Sequence, residues 1–237
     1  MRAPFLTPDD LAAIEAAVRA AEIRTTGEIY CVVAEESSDY HATPIAWAAG
    51  VALLAPALLL LAGLHVSAPD MVIVGGWTAA QVEGVGEATA RAALIGTLLL
   101  QGLLFVVTLF LVAIPPVRRA LTPRGLKRDR VRQRAEEQFL AKNLHATRER
   151  TGVLIYVSAA ERMAELIADE SIHAHVDDAT WTKAMAALTA GLKRGDPAAG
   201  FAAAIGQCAD ILADHFPARF GDNPNELPDA VVVLPRP

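Results

Sequence analysis

Two long apolar runs constrain this chain more than any other feature of its sequence. Residues 42–69 contain no Asp, Glu, Lys or Arg, and residues 92–117 contain none either. A helix of about 20 consecutive apolar residues is long enough to cross the hydrocarbon core of a bilayer. We therefore predict a transmembrane hairpin at 41–117, with spans at about 44–66 and 92–114 and a short extracytoplasmic loop at 67–91.

The basic residues are distributed unevenly around these runs. Residues 118–150 hold 11 of the 21 Lys and Arg residues against four acids, whereas the loop 67–91 holds one basic residue and three acids. Short loops rich in Lys and Arg stay in the cytoplasm. We therefore expect a multi-pass membrane protein with both termini cytoplasmic.

A basic cluster follows the second apolar run directly. Basic side chains near a membrane surface are attracted to anionic lipid headgroups by about 1 kcal/mol each. No aromatic side chains that could stack on bases interleave with the cluster, which argues against a nucleic-acid partner. We predict that anionic lipid headgroups contact its members, Arg118, Arg119, Arg124, Lys127, Arg128, Arg130, Arg132 and Arg134.

The segments on either side of the hairpin repeat one pattern, a helix followed by a buried strand. Thr7 precedes an amphipathic helix, and Thr26-Gly27 then precedes the apolar run 29–33. After the hairpin, a predicted helix over 131–150 is followed by Thr151-Gly152 and the apolar run 153–157. Such units place their strands parallel in one sheet. We predict an α/β domain that is discontinuous in sequence, formed by 1–40 together with 118–237.

The remainder of the chain completes this domain. A short turn leads to a predicted third strand at 163–168, and helices are predicted after Asp178 and from Pro197. A last short strand is predicted at 230–234. Cys31 and Cys208 lie in apolar settings without metal-ligand spacing, so both are interpreted as small buried hydrophobic residues.

Several short stretches of this sequence resemble the TPM domain family. The resemblance covers nearly everything outside the hairpin and is greatest to the bacterial membrane-protein branch. It implies an α/β/α sandwich around a small mixed sheet, interrupted here by the two-helix transmembrane hairpin, in the inner (plasma) membrane of a bacterium. The matching stretches are Thr26-Gly27-Glu28-Ile29-Tyr30, Thr151-Gly152-Val153-Leu154-Ile155, Glu161-Arg162, Ala168-Asp169, Trp181 and Leu212-Ala213-Asp214-His215-Phe216-Pro217.

The resemblance also implies a candidate activity. Acid phosphatase activity and divalent-cation binding are attributed to some family members, while others serve in photosystem repair or receptor regulation. The family residues matched here make Glu161, Arg162 and Asp169 the candidate catalytic set, with a divalent cation as the candidate cofactor. The plainer alternative is that Arg162 pairs with a carboxylate and fixes the turn.

Strand geometry separates the candidate carboxylates into two rival clusters. Glu161 precedes the third strand and Asp169 follows it, so about 20 Å separates them at roughly 3.3 Å per residue. One cluster would hold Glu28, Asp169 and His173. The other would hold Glu35, Glu36 and Glu161 at the carboxyl ends of the parallel strands, where ligands bind in such sheets. Both remain open.

A second candidate metal site is the segment His173-Ala174-His175-Val176-Asp177. In an extended chain, His173, His175 and Asp177 would share one side. Two imidazoles and a carboxylate suit a transition metal. The alternative is a solvated edge strand leading into the next helix.

Motif absences narrow the functional hypotheses. The sequence lacks a Cys-x5-Arg phosphatase loop, a Walker loop and a His-Glu-x-x-His zinc motif. The first hypothesis is a non-catalytic, membrane-tethered TPM-type domain that binds or helps assemble membrane components, with a membrane-protein partner or a second copy of the chain. The alternative is a divalent-cation-dependent phosphatase on the same fold, and a transport-related subunit is the third hypothesis.

Overall fold

The computed structural model describes residues 5–63, 87–176, 178–219 and 224–236, without the side chains of 87–93, 173, 178 and 179. The chain divides into two compact units, Met1–Asp39 with Arg124–Pro237, and Tyr40–Pro123. In chain order the elements are α1 (Pro8–Glu22), β1 (Glu28–Ala34), α2 (Ala42–Leu61), α3 (Glu87–Ala113), α4 (Pro115–Leu121), α5 (Arg124–Ala141), β2 (Gly152–Ser158), β3 (Met163–Ala168), α6 (Glu170–His173), α7 (Asp178–Arg194), α8 (Pro197–His215) and β4 (Val232–Leu234).

A mixed four-stranded sheet lies at the centre of the first unit. Its strand order is β3-β2-β1-β4. β1 pairs parallel with β2, in a register that runs from Glu28 opposite Gly152 to Ala34 opposite Ser158. β4 pairs parallel with β1, and β3 pairs antiparallel with β2. The predicted parallel pairing of a strand before the apolar hairpin with one after it is therefore confirmed.

Helices cover both faces of this sheet. Ile29, Cys31 and Val33 of β1 belong to a core cluster that includes side chains of α1, α7 and α8. Tyr30 and Val32 lie on the other face, in a cluster with side chains of α5. Strands buried on both faces are almost continuously apolar rather than alternating, which explains the sequence of β1. The expected α/β fold with a small mixed sheet is confirmed.

The start of α1 agrees with the prediction from the sequence, whereas the end of α5 does not. Thr7, predicted to precede α1, forms a reciprocal capping box with Asp10 at the start of the helix. The prediction of one helix over 131–150 is wrong, because α5 ends at Ala141 and a 3-10 turn follows at Leu144–Ala146. Asn143 has a left-handed φ of 57°, a conformation that cannot continue a right-handed helix.

The second unit consists of α2, α3 and α4. Both α2 and residues 94–113 of α3 are long and apolar enough to cross a membrane, with mean hydropathies of 2.1 and 2.4. The buried side chains of α2 include Ala48, Ala52 and Pro56, spaced four residues apart on one helix face. Small residues at this spacing let two helices approach closely, and α2 contacts α3. Residues 64–86, which include the end of the first predicted span and most of the predicted loop, lie outside the described residues.

The contact between α7 and α8 depends on a pair of glycines. A Cβ at Gly191 would lie 2.3 Å from Gly200 Cα. We predict that Gly191→Ala lowers the melting temperature because backbone atoms must move apart. Gly206→Ala in α8 is the matched control. Its Cβ would meet nothing within 4 Å, so the better helix propensity of Ala should stabilise the fold by about 1 kcal/mol. Equal melting temperatures for the two variants would contradict this packing.

Candidate functional site

The turn between β2 and β3 brings the first two candidate residues to one edge of the sheet. Ala159 N donates to Ala34 O at 2.9 Å, and Ala160 N donates to Glu35 O at 3.0 Å. The turn is thereby fixed against the end of β1, and Glu161 and Arg162 are its last two residues. This is the carboxyl edge of the parallel strands, where ligands bind in sheets of this kind.

Glu161 is held by hydrogen bonds on the α5 side of this edge. Its carboxylate accepts from Ser37 N at 3.4 and 3.3 Å and from Ser158 Oγ. The Ser37 and Tyr156 hydroxyls lie 3.0 Å apart, and burial raises the pKa of Tyr156. Glu161 therefore fastens the loop after β1 to the β2–β3 turn.

Arg162 contributes to a different surface from its neighbour. Its φ of 55° is left-handed, and its side chain lines a cavity of about 610 Å³ together with Lys193 at the end of α7. Within the described part of the chain, the structure records no ion pair for Arg162. No carboxylate among those residues therefore forms the pair with Arg162 that would fix the turn in the alternative interpretation.

Asp169 lies at the opposite end of β3. Its carboxylate caps α6 by accepting from Ser171 N at 3.2 Å, and it lies 3.4 Å from Arg150 Nε. Asp169 is only 2% exposed. Because the length of β3 separates Asp169 from Glu161, these two carboxylates do not share one reaction centre.

The rival carboxylate clusters do not form a cation centre among the described residues. Glu28 accepts hydrogen bonds from the backbone N of Glu226 and Leu227, both at 3.2 Å. Glu35 pairs with Arg236 at 3.1 Å. Within the described ranges, no group of three or more His, Cys, Asp or Glu side chains could hold a metal ion. The described side chains therefore provide no three-donor group for a divalent cation.

The histidine segment 173–177 does not have the extended conformation on which its predicted metal site was based. An extended chain was expected, but α6 covers Glu170–His173 and a turn follows. The extended geometry is wrong because Asp169 caps a helix at this point. His175 Nδ1 lies 3.0 Å from Ser171 O, and its ring packs edge-on against Phe216. The side chain of His173 and all of Asp177 lie outside the described residues.

Sequence reasoning missed a carboxyl at the amino edge of the sheet. Burial raises the pKa of Glu22 to about 8, assisted by the charge of Glu28 and by Asp229 and opposed by a hydrogen bond from Ile29 N. Burial also raises the pKa of Glu28. The local sequence of α1 does not distinguish Glu22 from Glu15, because the acids that act on Glu22, Glu28 and Asp229, lie outside this helix.

Comparison with known proteins shows a similarity to one domain family over part of the chain. The family model described as the TPM domain matches residues 118–211. This part of the chain is thus similar to the TPM domain. That match runs from the basic segment after the second apolar helix into α8, so it includes β2 and β3 but not β1.

A solved structure resembles this chain over nearly its whole length. The NMR structure of BA42 protein from the psychrophilic bacterium Bizionia argentinensis has a TM-score of 0.55 and 18% sequence identity, covering 98% of each chain. Similarity at this level supports the fold alone. No curated protein matches the sequence.

The raised pKa of Glu22 predicts a pH-dependent stability. The ordinary value is 4.5 and the folded value about 8, so between these pH values the unfolded chain loses its proton first. The free energy of unfolding should therefore fall as pH rises through this window and then level off. We expect Glu22→Gln, which keeps a neutral side chain, to show a shallower fall in melting temperature and a higher melting temperature at pH 8.

The exposed Glu15 on the same helix provides the control for this prediction. Glu15→Gln should retain the wild-type pH dependence of the melting temperature. Parallel curves for wild type and Glu22→Gln would show that the Glu22 carboxyl is not protonated in the folded protein at neutral pH.

Proposed function

We propose that this protein is a membrane-tethered TPM domain that binds membrane components or assists their assembly. In this proposal α2 and α3 cross the inner membrane of a bacterium as a hairpin, and both termini lie in the cytoplasm. The partner is another membrane protein or a second copy of the chain.

The main observation in favour of a membrane tether is the exposed apolar surface of α2 and α3. Leu53 and Leu54 of α2 are 66% and 64% exposed, and Leu103 and Phe110 of α3 are 53% and 71% exposed. Water-soluble proteins seldom expose contiguous apolar patches of this kind, whereas lipid chains solvate them. A bilayer is the environment that supports such side chains on both helices.

The basic start of α5 supports contact with anionic lipid headgroups. α5 buries no residue before Val131, and Arg124, Arg128 and Arg130 in that stretch are exposed. Arg118 and Arg119 precede it in α4. Further along α5, Arg132 and Arg134 are neutralised by Glu136 and Glu137 at 3.0 and 2.8 Å. The exposed arginines at the start of α5 thus lie just after the second apolar helix in sequence.

A binding role is favoured over hydrolysis by what the candidate carboxylates contact. Glu161 accepts from Ser37 and Ser158, Asp169 caps α6, and Glu28 accepts from two backbone amides. Each contact stabilises a local structure. A general base needs a carboxylate oxygen within reach of the reacting group, whereas the recorded contacts of these carboxylates are to groups of the surrounding fold.

One substitution distinguishes a membrane span from a surface helix of a soluble protein. Leu103 is exposed, so Leu103→Arg should be nearly neutral in water. At the centre of a span it should oppose insertion by about 2.5–3.5 kcal/mol. We predict that Leu103→Arg sharply reduces the carbonate-resistant membrane fraction of the full-length protein.

Leu140 on α5 is the matched control because it is also an exposed leucine, at 59%. Leu140→Arg should leave the membrane fraction unchanged. If Leu103→Arg fractionates like wild type, or if wild-type protein is released by carbonate, α3 does not cross the membrane.

The orientation is tested by reporter fusions. We expect a cytoplasm-active fluorescent protein to fluoresce at either terminus of the full-length chain, and a periplasm-active alkaline phosphatase to be inactive at both. The physical reason is the basic excess after the second run. Alkaline phosphatase activity at either terminus would contradict the proposed topology.

Hydrolysis is tested on the detergent-solubilised full-length protein. We predict no turnover of aryl phosphates with Mg²⁺, Ca²⁺ or Mn²⁺ above a protein-free control. Turnover that is lost in either Glu161→Ala or Asp169→Ala, with wild-type melting behaviour retained, would replace the binding role by the phosphatase alternative.

A further inference from the structure

A cavity between the β2–β3 turn and the end of α7 has the features of a ligand site. Its volume is about 610 Å³, within the range of roughly 300–1,000 Å³ that is usual for small-molecule sites. It opens at the carboxyl edge of β2, the edge at which ligands bind in sheets of this type.

The floor of the cavity is apolar and continuous with the core. Val157 is 1% exposed and belongs to the core cluster, while Ala164 and Leu192 pack against that cluster. Phe5 completes the lining as a partly exposed ring, 41% accessible. An apolar ligand group that entered here would leave water and contact side chains already fixed by the fold.

Two cations, Arg162 and Lys193, line the same cavity. No carboxylate is among the described residues of its lining. The neighbouring acid Glu161 is bound by Ser37 and Ser158, and Asp196, which follows the cavity residue Gly195, caps α8 through Ala199 N at 3.0 Å. The two positive charges therefore remain available to a ligand.

The turn that carries Arg162 is fixed rather than adaptable. The hydrogen bonds from Ala159 N and Ala160 N to the end of β1 hold it in place. At the opposite wall, Gly195 has a φ of 77° and ends α7, so Lys193 is placed in the last turn of a helix. A preformed site of this kind loses little conformational freedom on binding.

We propose that this cavity binds an amphiphile with one anionic head, a carboxylate or a phosphate, and an apolar body. The head would contact Arg162 and Lys193, and the body would lie on Val157 and Leu192. Both cations are exposed, and exposed ion pairs alone contribute little, so the apolar body is needed for affinity. This inference names a ligand for the proposed binding role and rests on that role.

The test uses the full-length protein in nanodiscs of zwitterionic lipid. The probe is a photoactivatable decanoate analogue, with the matching decanol analogue as the neutral control, and labelled peptides are mapped after digestion. We expect saturable labelling of segments 157–164 and 189–195 by the carboxylate probe only. Free decanoate or decyl phosphate should displace it, and inorganic phosphate should not.

Three variants locate the head of the probe. Arg162→Gln and Lys193→Gln should each weaken displacement by decanoate about threefold, the effect of losing one exposed ion pair. Arg194→Gln is the matched control, because Arg194 is the neighbouring exposed cation on α7 and does not line the cavity. It should leave the affinity unchanged, and melting temperatures check that all three variants fold.

A further arm identifies the source of the amphiphile. In nanodiscs that contain phosphatidylglycerol, labelling falls if a bilayer lipid occupies the cavity and persists if a free amphiphile does, and each result supports the site. Equal labelling by the neutral probe, or unchanged affinity in the Arg162→Gln/Lys193→Gln double variant, would overturn it. The Leu103→Arg fractionation tests the tether independently, so failure of the ligand and failure of the tether are distinguishable.

Discussion

The structure depends on the parallel pairing of β1 with β2. These strands pair over their whole length, yet residues 35–151 separate them in sequence. The entropic cost of closing a loop grows only with the logarithm of its length, about 0.6 kcal/mol for each doubling. Burial of both strands on both faces stabilises the pairing, so an apolar hairpin can occupy the connection without disrupting the sheet.

This pairing also creates the edge at which the candidate site lies. The β2–β3 turn is hydrogen-bonded to the end of β1, and from this fixed turn the two neighbouring residues serve different faces. Glu161 fastens the loop after β1 on the α5 side, while Arg162 lines the cavity beside α7. Glu161 therefore stabilises this edge of the sheet, and Arg162 provides a positive charge that a ligand can contact.

Much of the fold could be predicted because apolar runs and helix-capping residues are visible in short stretches of the sequence. The strand predicted at 163–168 has those bounds, and the helix predicted after Thr7 and the strand predicted from the apolar run 29–33 are both present. The prediction of an extended segment around His175 was wrong because the side chain of Asp169 caps a short helix there. The cavity could not be predicted, since Phe5, Arg162 and Lys193 come from three distant segments and carry no shared motif.

The central claim is that a sheet completed across the apolar hairpin persists while that hairpin lies in lipid. Magic-angle-spinning NMR of the full-length protein in lipid bilayers measures this most directly. The account predicts contacts between the backbone of Tyr30 and Leu154, which are paired in the sheet, and contacts of Leu103 with lipid acyl chains in the same sample. Resolved signals from Tyr30 and Leu154 without a mutual contact, or a Leu103 in contact with water alone, would contradict it.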